Sequence, residues 1–174
     1  MNTHGRKGLS RVYSEQLLTV QDTEEFGQRL AADLTAGDVV VLSGPLGAGK
    51  TALARGIGAG LGVMGVVSSP TFIIAREHRA GQARRGGGPP VAMVHVDAYR
   101  LLGDSDRAHD GGRLALDELD ALDLDTELDD AVVVVEWGEG LAERLADRHL
   151  LVRLERHTDD EVRVAHWQWV NHTK

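Results

Sequence analysis

The chain is predicted to fold as an α/β domain of three layers with a mixed, partly parallel sheet at its centre. Three observations carry this. Residues 39–42, 91–96 and 131–135 are short runs dominated by valine, long enough for strands and of the buried type. Between them lie stretches with apolar residues at helical spacing. The last part of the chain instead holds two extended runs, residues 149–154 and 163–170, joined across a turn at 158–160 and suited to a hairpin. Strands alternating with helices build parallel pairs and hairpins add antiparallel ones.

Taken in order, residues 1–12 carry Arg6, Lys7 and Arg11 with no apolar core behind them, so they are expected to be a flexible start and not a signal peptide. Residues 13–174 are expected to form a single domain. A first short strand is predicted at 14–20. Asp22 followed by Glu25 has the spacing of a capping box, and Phe26, Leu30 and Leu34 then mark one apolar helix face. Gly37 and Asp38 turn the chain into the strand at 39–42. A helix is expected from about Lys50, yet Gly56, Gly58, Gly60 and Gly62 each cost it up to about 1 kcal/mol relative to Ala. Either its end frays or close packing against the sheet requires small residues.

Residues 68–75 read as a loop entering a strand, and 76–90 as the polar, glycine-rich tip of a hairpin. The tip's Arg84 and Arg85 either approach phosphate or face water. Residues 104–130 hold 11 acids and two arginines around Leu114, Leu116, Leu119, Leu122 and Leu128. That pattern fits a helical segment whose acidic face is solvated or docks a basic partner. A short helix is expected at 139–145, before the closing strands.

Composition narrows the function. A net charge of −8 argues against a general nucleic-acid binder, and the absence of cysteine removes disulfides and thiolate metal sites. No apolar run approaches the ~20 residues of a membrane span, so no membrane partner is expected and the expected compartment is the cytoplasm.

The chemistry concentrates in Gly44-Pro45-Leu46-Gly47-Ala48-Gly49-Lys50-Thr51, which fits G-x-x-x-x-G-K-[ST] between a strand and a helix. Gly44, Gly47 and Gly49 can adopt angles barred to side chains, so successive N–H groups turn inward as an anion nest, and the helix adds its positive end. The fold expected is therefore P-loop NTPase-like, and the run from Gly44 to Ala52 is the expected nucleotide-contacting segment. Lys50 is expected to reach the β and γ phosphates of a nucleotide and the Thr51 hydroxyl to ligate Mg²⁺. The chain has 16 arginines and three lysines, at 7, 50 and 174, so Lys50 is the only lysine away from the termini. A compact ammonium suits a seat among phosphates.

Such a site needs an acid at a neighbouring strand's carboxyl end. Asp97 and Glu136 each follow an apolar run, and both are candidates for metal binding or hydrolysis. Trp137 beside Glu136 either shields the phosphates or packs. Thr71, in a loop entering a strand, is placed to approach the γ-phosphate as a switch residue does. The eight histidines show no paired metal-ligand spacing.

These residues also resemble a known family, the small P-loop ATPases of bacterial tRNA threonylcarbamoyladenosine biosynthesis, TsaE (older name YjeE). The resemblance runs from about Thr19 to Leu154. It rests on the motif from Gly44 to Thr51, on Ser69-Pro70-Thr71-Phe72, on His95-Val96-Asp97-Ala98-Tyr99-Arg100, and on Glu136-Trp137, with Gly27 and Leu30-Ala31 in the leading helix. It implies ATP as ligand and an ATPase working with two partner subunits of actin-like fold, TsaB and TsaD in type. Through that complex it is tied to tRNA, whose adenosine next to the anticodon is modified. It implies that Lys50 and Thr51 serve phosphate and Mg²⁺, that Asp97 and Glu136 serve metal and hydrolysis, and that Trp137 lies at the nucleotide. Pro45 departs from the acid common at its position, and the tip around Gly86 is longer than usual.

Two other functions compete. A small-molecule kinase would use Asp97 as base and need an arginine lid, which only residues 76–85 could supply. A nucleotide-switch binding protein is the other; a guanine-specific one would want N-K-x-D, and the only asparagines are Asn2 and Asn171.

Overall fold

The valine-rich runs lie where their composition demands, at the centre of a sheet. The computed structural model describes residues 11–69, 75–84, 86–98, 129–140, 145–156 and 162–172. In chain order these form β1 (Tyr13–Leu17), α1 (Val20–Ala31), β2 (Val39–Ser43), α2 (Lys50–Leu61), β3 (Ala75–His78), β4 (Ala92–Asp97), β5 (Ala131–Glu136), β6 (Arg148–Arg156) and β7 (Arg163–Asn171). The strands make one sheet in the order β1-β7-β6-β2-β5-β4-β3. β2 pairs in parallel with β5 and β6, and β4 in parallel with β5. The β1–β7, β6–β7 and β3–β4 pairs are antiparallel. The sheet is mixed and partly parallel, as the sequence predicts. Thr71, Tyr99, Arg100, the acidic stretch up to residue 128, the turn at 158–160 and most of the expected helix at 139–145 lie outside the described residues.

Alternate residues of the central strands enter opposite cores. Val40, Leu42, Val132, Val134 and Val152 pack with Phe26, Leu53, Ile57 and Leu61 under α1 and α2. Val39, Val41, Val94, Val96, Val133 and Val135 form a second cluster on the other face, against Leu145 and Ala146. Burial on both faces explains why these runs show no polar alternation.

The first helix starts earlier than the Asp22–Glu25 box suggests. Thr19 is the N-cap: its side chain accepts from the Asp22 N–H at 3.0 Å, and the Asp22 carboxylate accepts from the Thr19 N–H at 2.8 Å. The reciprocal box is therefore Thr19–Asp22, and the preceding strand stops at Leu17.

The glycines of α2 have a definite cause. The helix is continuous to Leu61 and ends at Gly62 in the left-handed conformation, φ 76°. A Cβ at Gly56 would lie 2.1 Å from the Glu24 carbonyl oxygen, and one at Gly60 2.6 Å from the Ala31 Cβ. The close neighbour at these two positions is α1, not the sheet. Gly27 answers from the other side, where a Cβ would meet the Leu53 carbonyl at 2.6 Å.

The stretch expected to be a hairpin tip, residues 76–90, differs from the sequence reading in two respects. Its first residues, Arg76, Glu77 and His78, are ladder residues paired with His95, Val94 and Met93, not part of a tip. Arg84 neither approaches the loop at Gly44 nor faces water. It donates to the carbonyls of Ala31 and Leu34 at the end of α1, where terminal carbonyls lack helical partners.

Two outcomes are expected. Gly56→Ala gains up to about 1 kcal/mol in helix propensity but loses roughly 1–3 kcal/mol to overpacking. The variant should melt several degrees below wild type; a melt at or above wild type would contradict the close α1–α2 contact. His78 is buried with no partner for Nε2 among the described residues. Burial first, then the charges of His95 and Arg76, hold its pKa below the ordinary 6.5. The unfolded chain then takes up a proton that the folded chain refuses, so stability falls as pH drops below about 6.5. His78→Leu should flatten that acid limb in thermal melts, and an unchanged slope would assign the loss to other groups.

Candidate functional site

The turn from β2 into α2 leaves backbone N–H groups without side-chain acceptors. Gly44, Gly47 and Gly49 have φ of 143°, 79° and 105°. Gly49 is the N-cap of α2 and no side chain caps it, whereas α1 carries its own box. The first-turn amides and the positive end of α2 therefore face the concavity of the loop. A Cβ at Gly44 would lie 2.4 Å from the Leu154 carbonyl oxygen, so glycine is also required where the loop leaves β2 beside β6.

Lys50 is 5% exposed and folded across this loop. Its Nζ donates to the carbonyls of Gly44 at 2.8 Å and Pro45 at 2.9 Å, and lies 3.8 Å from the centre of the Trp137 ring. Burial lowers its pKa, and the charges of Glu136 and then Asp97 push the other way.

Asp97 and Glu136 end the parallel strands β4 and β5 in direct register. Both are buried. Glu136 Oε1 accepts the Thr51 hydroxyl at 3.2 Å and meets His95 Nε2 at 2.9 Å. A carboxylate can only accept, so the ring proton of His95 belongs on Nε2. His95 is wholly buried, and its Nδ1 has no partner among the described residues.

Trp137 is the one non-glycine residue with positive φ, 62°, among the described residues. Its N–H donates to the Leu42 carbonyl at 3.1 Å. The turn that carries it is tied back to β2, because the Ser43 hydroxyl donates to Glu139 Oε1 at 2.6 Å.

The structure thus brings together the segment from Gly44 to Thr51, Asp97, Glu136 and Trp137. Ala52 continues the first turn of α2, and Leu46 is 92% exposed, so its side chain takes no part in the cradle. Thr71 falls outside the described residues. Two neighbours have no role in the sequence reading, although one, His95, stands in a quoted motif. His95 stands two residues before Asp97 on the same strand face, a spacing that could have revealed it. Arg163, whose Nε donates to the Ala48 carbonyl at 3.0 Å, is 115 residues away and left no sequence signal.

The oxygens of Thr51, Asp97 and Glu136 are the hard donors that a small divalent cation prefers. No group of three or more His, Cys, Asp or Glu that could hold a metal occurs among the described residues. A cation here would take part of its shell from a ligand's oxygens, as Mg²⁺ does beside phosphates.

Residues 17–164 match the family model described as threonylcarbamoyl adenosine biosynthesis protein TsaE. The chain belongs to the TsaE family. It is 58% identical to the tRNA threonylcarbamoyladenosine biosynthesis protein TsaE of Mycobacterium tuberculosis (strain ATCC 25618 / H37Rv) over 164 residues, 94% of this chain and 91% of that one. The protein of the same name from Streptomyces coelicolor is 54% identical over 142 residues, 80% of this chain and 84% of the relative. Among solved structures, Bacillus subtilis YdiB superposes with a TM-score of 0.65 at 25% identity, covering 95% of this chain and 90% of its own. The α/β fold of this TsaE chain is shared with that neighbour.

The Lys50–Trp137 contact makes the indole a reporter. A nucleoside triphosphate that draws the ammonium off the ring should change the tryptophan emission. Trp167, stacked on Tyr13, and Trp169, beside Arg148, should give a constant background. Trp137→Phe should abolish the response; a full response in that variant would place the reporter elsewhere.

Proposed function

We propose that the protein hydrolyses ATP with Mg²⁺ in support of N6-threonylcarbamoyladenosine formation next to the anticodon of tRNA. The observation that carries the ATPase reading is the uncapped, glycine-cradled start of α2 with Lys50 across it and two buried acids on adjacent strand ends. Family membership supports the place in tRNA modification.

In this reading the amides from Gly44 to Ala52 hold the phosphates and Lys50 moves from the loop carbonyls to the phosphate chain. Thr51 with Glu136 or Asp97 would hold Mg²⁺, which supplies neutralisation of the charge that develops on phosphate oxygens. The other acid orients the attacking water. His95 fixes one oxygen of Glu136 and leaves the second free to turn toward the ligand. Trp137 closes the site on the lysine side. Thr71 is assigned to the γ-phosphate.

No described arginine is established as a finger toward the γ-phosphate, and such a group contributes ~10³–10⁵ in rate when a partner supplies it. The turnover is therefore slow alone and stimulated by the two actin-like-fold subunits, of TsaB and TsaD type, that work on tRNA. The kinase alternative gains no support from two of the four arginines that could form its lid: Arg84 is engaged on α1 and Arg76 donates to the Ser68 hydroxyl at 2.8 Å.

The test is steady-state phosphate release by the purified chain, then with the subunit pair, then with tRNA added. Partners should raise the rate at least ten-fold, and Lys50→Ala should lose most of it while keeping the wild-type circular dichroism. A fast basal rate indifferent to partners, a phosphorylated small molecule as product, or wild-type turnover by Lys50→Ala would overturn the assignment.

A further inference from the structure

The glycine loop has a second wall, built from the far end of the chain. β6 ends at Arg156 and β7 begins at Arg163, and the two stand directly opposite in the antiparallel register. Residues opposite in a ladder share a face. Period-two spacing from Leu154 and Ala165, both in the core under the helices, puts both arginines on the α1–α2 side. Like charges directly opposite are destabilising, and Arg163 is only 8% exposed.

Both arginines border the loop. Arg163 Nε donates to the Ala48 carbonyl at 3.0 Å. The same Nε lies 3.0 Å from where a Cβ on Gly49 would be, and Arg156 Nη1 lies 3.6 Å from the corresponding point at Gly47. Arg156 is exposed and has no ion-pair or hydrogen-bond partner among the described residues. In a trans peptide the C=O and the N–H point in opposite directions, and the described chain has no cis bond. Holding the Ala48 carbonyl therefore aims the Gly49 N–H to the side of the loop away from Arg163.

We infer that the base of the β6–β7 hairpin belongs to the anion site. Arg156 contacts the phosphate chain of a nucleoside di- or triphosphate held by the loop, and Arg163 is a positioning residue that sets the Ala48–Gly49 peptide. A polyanion within reach of Arg156 gives its unpartnered guanidinium a role, and the bond to the Ala48 carbonyl gives Arg163 its own. The inference rests on the phosphate-binding reading of the loop and adds two residues to it.

The experiment is calorimetric titration of the full chain with ADP, without metal and at low and high salt. The proteins are wild type, Lys50→Ala, Arg156→Gln, Arg163→Gln, Arg163→Lys and, as a control at the opposite end of β6, Arg148→Gln. Arg156→Gln should weaken ADP about ten-fold and flatten the salt dependence, as loss of one charge-assisted contact implies. Arg163→Gln should weaken it comparably, and Arg163→Lys should recover part of the loss, because an ammonium still donates to a carbonyl. Arg148→Gln should match wild type. Wild-type affinity and salt dependence in Arg156→Gln, alongside lost binding in Lys50→Ala, would overturn the contact and leave the loop's role intact. An Arg163→Lys protein that folds and binds no better than the Gln variant, or far more weakly than wild type if the Gln variant does not fold, would overturn the positioning role. No ADP binding by wild type would remove the loop reading and this inference together.

Discussion

The buried ammonium of Lys50 is the interaction on which the site depends. It stands among two loop carbonyls, one aromatic face and two carboxylates that would otherwise repel each other at adjacent strand ends. Desolvation alone would favour its neutral form. The charges of Glu136 and Asp97 oppose that effect, and the two loop carbonyls and the face of the Trp137 ring are contacts that favour an ammonium. Lys50 thus ties the loop, the turn at Trp137 and the two acid-tipped strands to one point.

The sheet order makes this arrangement possible. β2, β4, β5 and β6 run parallel, so their carboxyl ends, at Ser43, Asp97, Glu136 and Arg156, share one edge, and antiparallel β7 begins there with Arg163. α2 must start at this edge and lie flat on the sheet. Its glycine face lets α1 approach to backbone contact, and the Thr19 box then sets the start of α1 beside the loop, where the Thr23 methyl lies 3.8 Å from a Cβ position at Gly49. Arg84 secures the opposite end of α1.

Local chemistry was legible in the sequence; long-range choices were not. Gly44, Gly49, Lys50 and Thr51 are specified by consecutive residues, and valine runs ending in Asp97 and Glu136 declare strands with acids at their tips. The start of α1 was read three residues late because Asp22 can serve either as the cap or as the third member of a box begun by Thr19. Only the chain's entry angle decides. The glycines of α2 announced close contact without naming the neighbour, since both the sheet and another helix admit small residues. Arg84, Arg156 and Arg163 were hidden more deeply. One arginine looks like another in a chain that uses 16 of them, and their partners are carbonyls or a loop brought near only by tertiary structure.

The left-handed backbone of Trp137 has a consequence for how this position can vary. Of order 1 kcal/mol of strain belongs to any side chain there with a Cβ, so Phe or Tyr would inherit it unchanged. Glycine would relax it, at the expense of greater freedom in the unfolded chain, and the two effects are similar in size. The backbone terms alone therefore hardly separate tryptophan from glycine at this position. What distinguishes the indole is what its half-buried ring touches, the Lys50 ammonium included, so a glycine here would keep the turn and lose the aromatic wall of the loop.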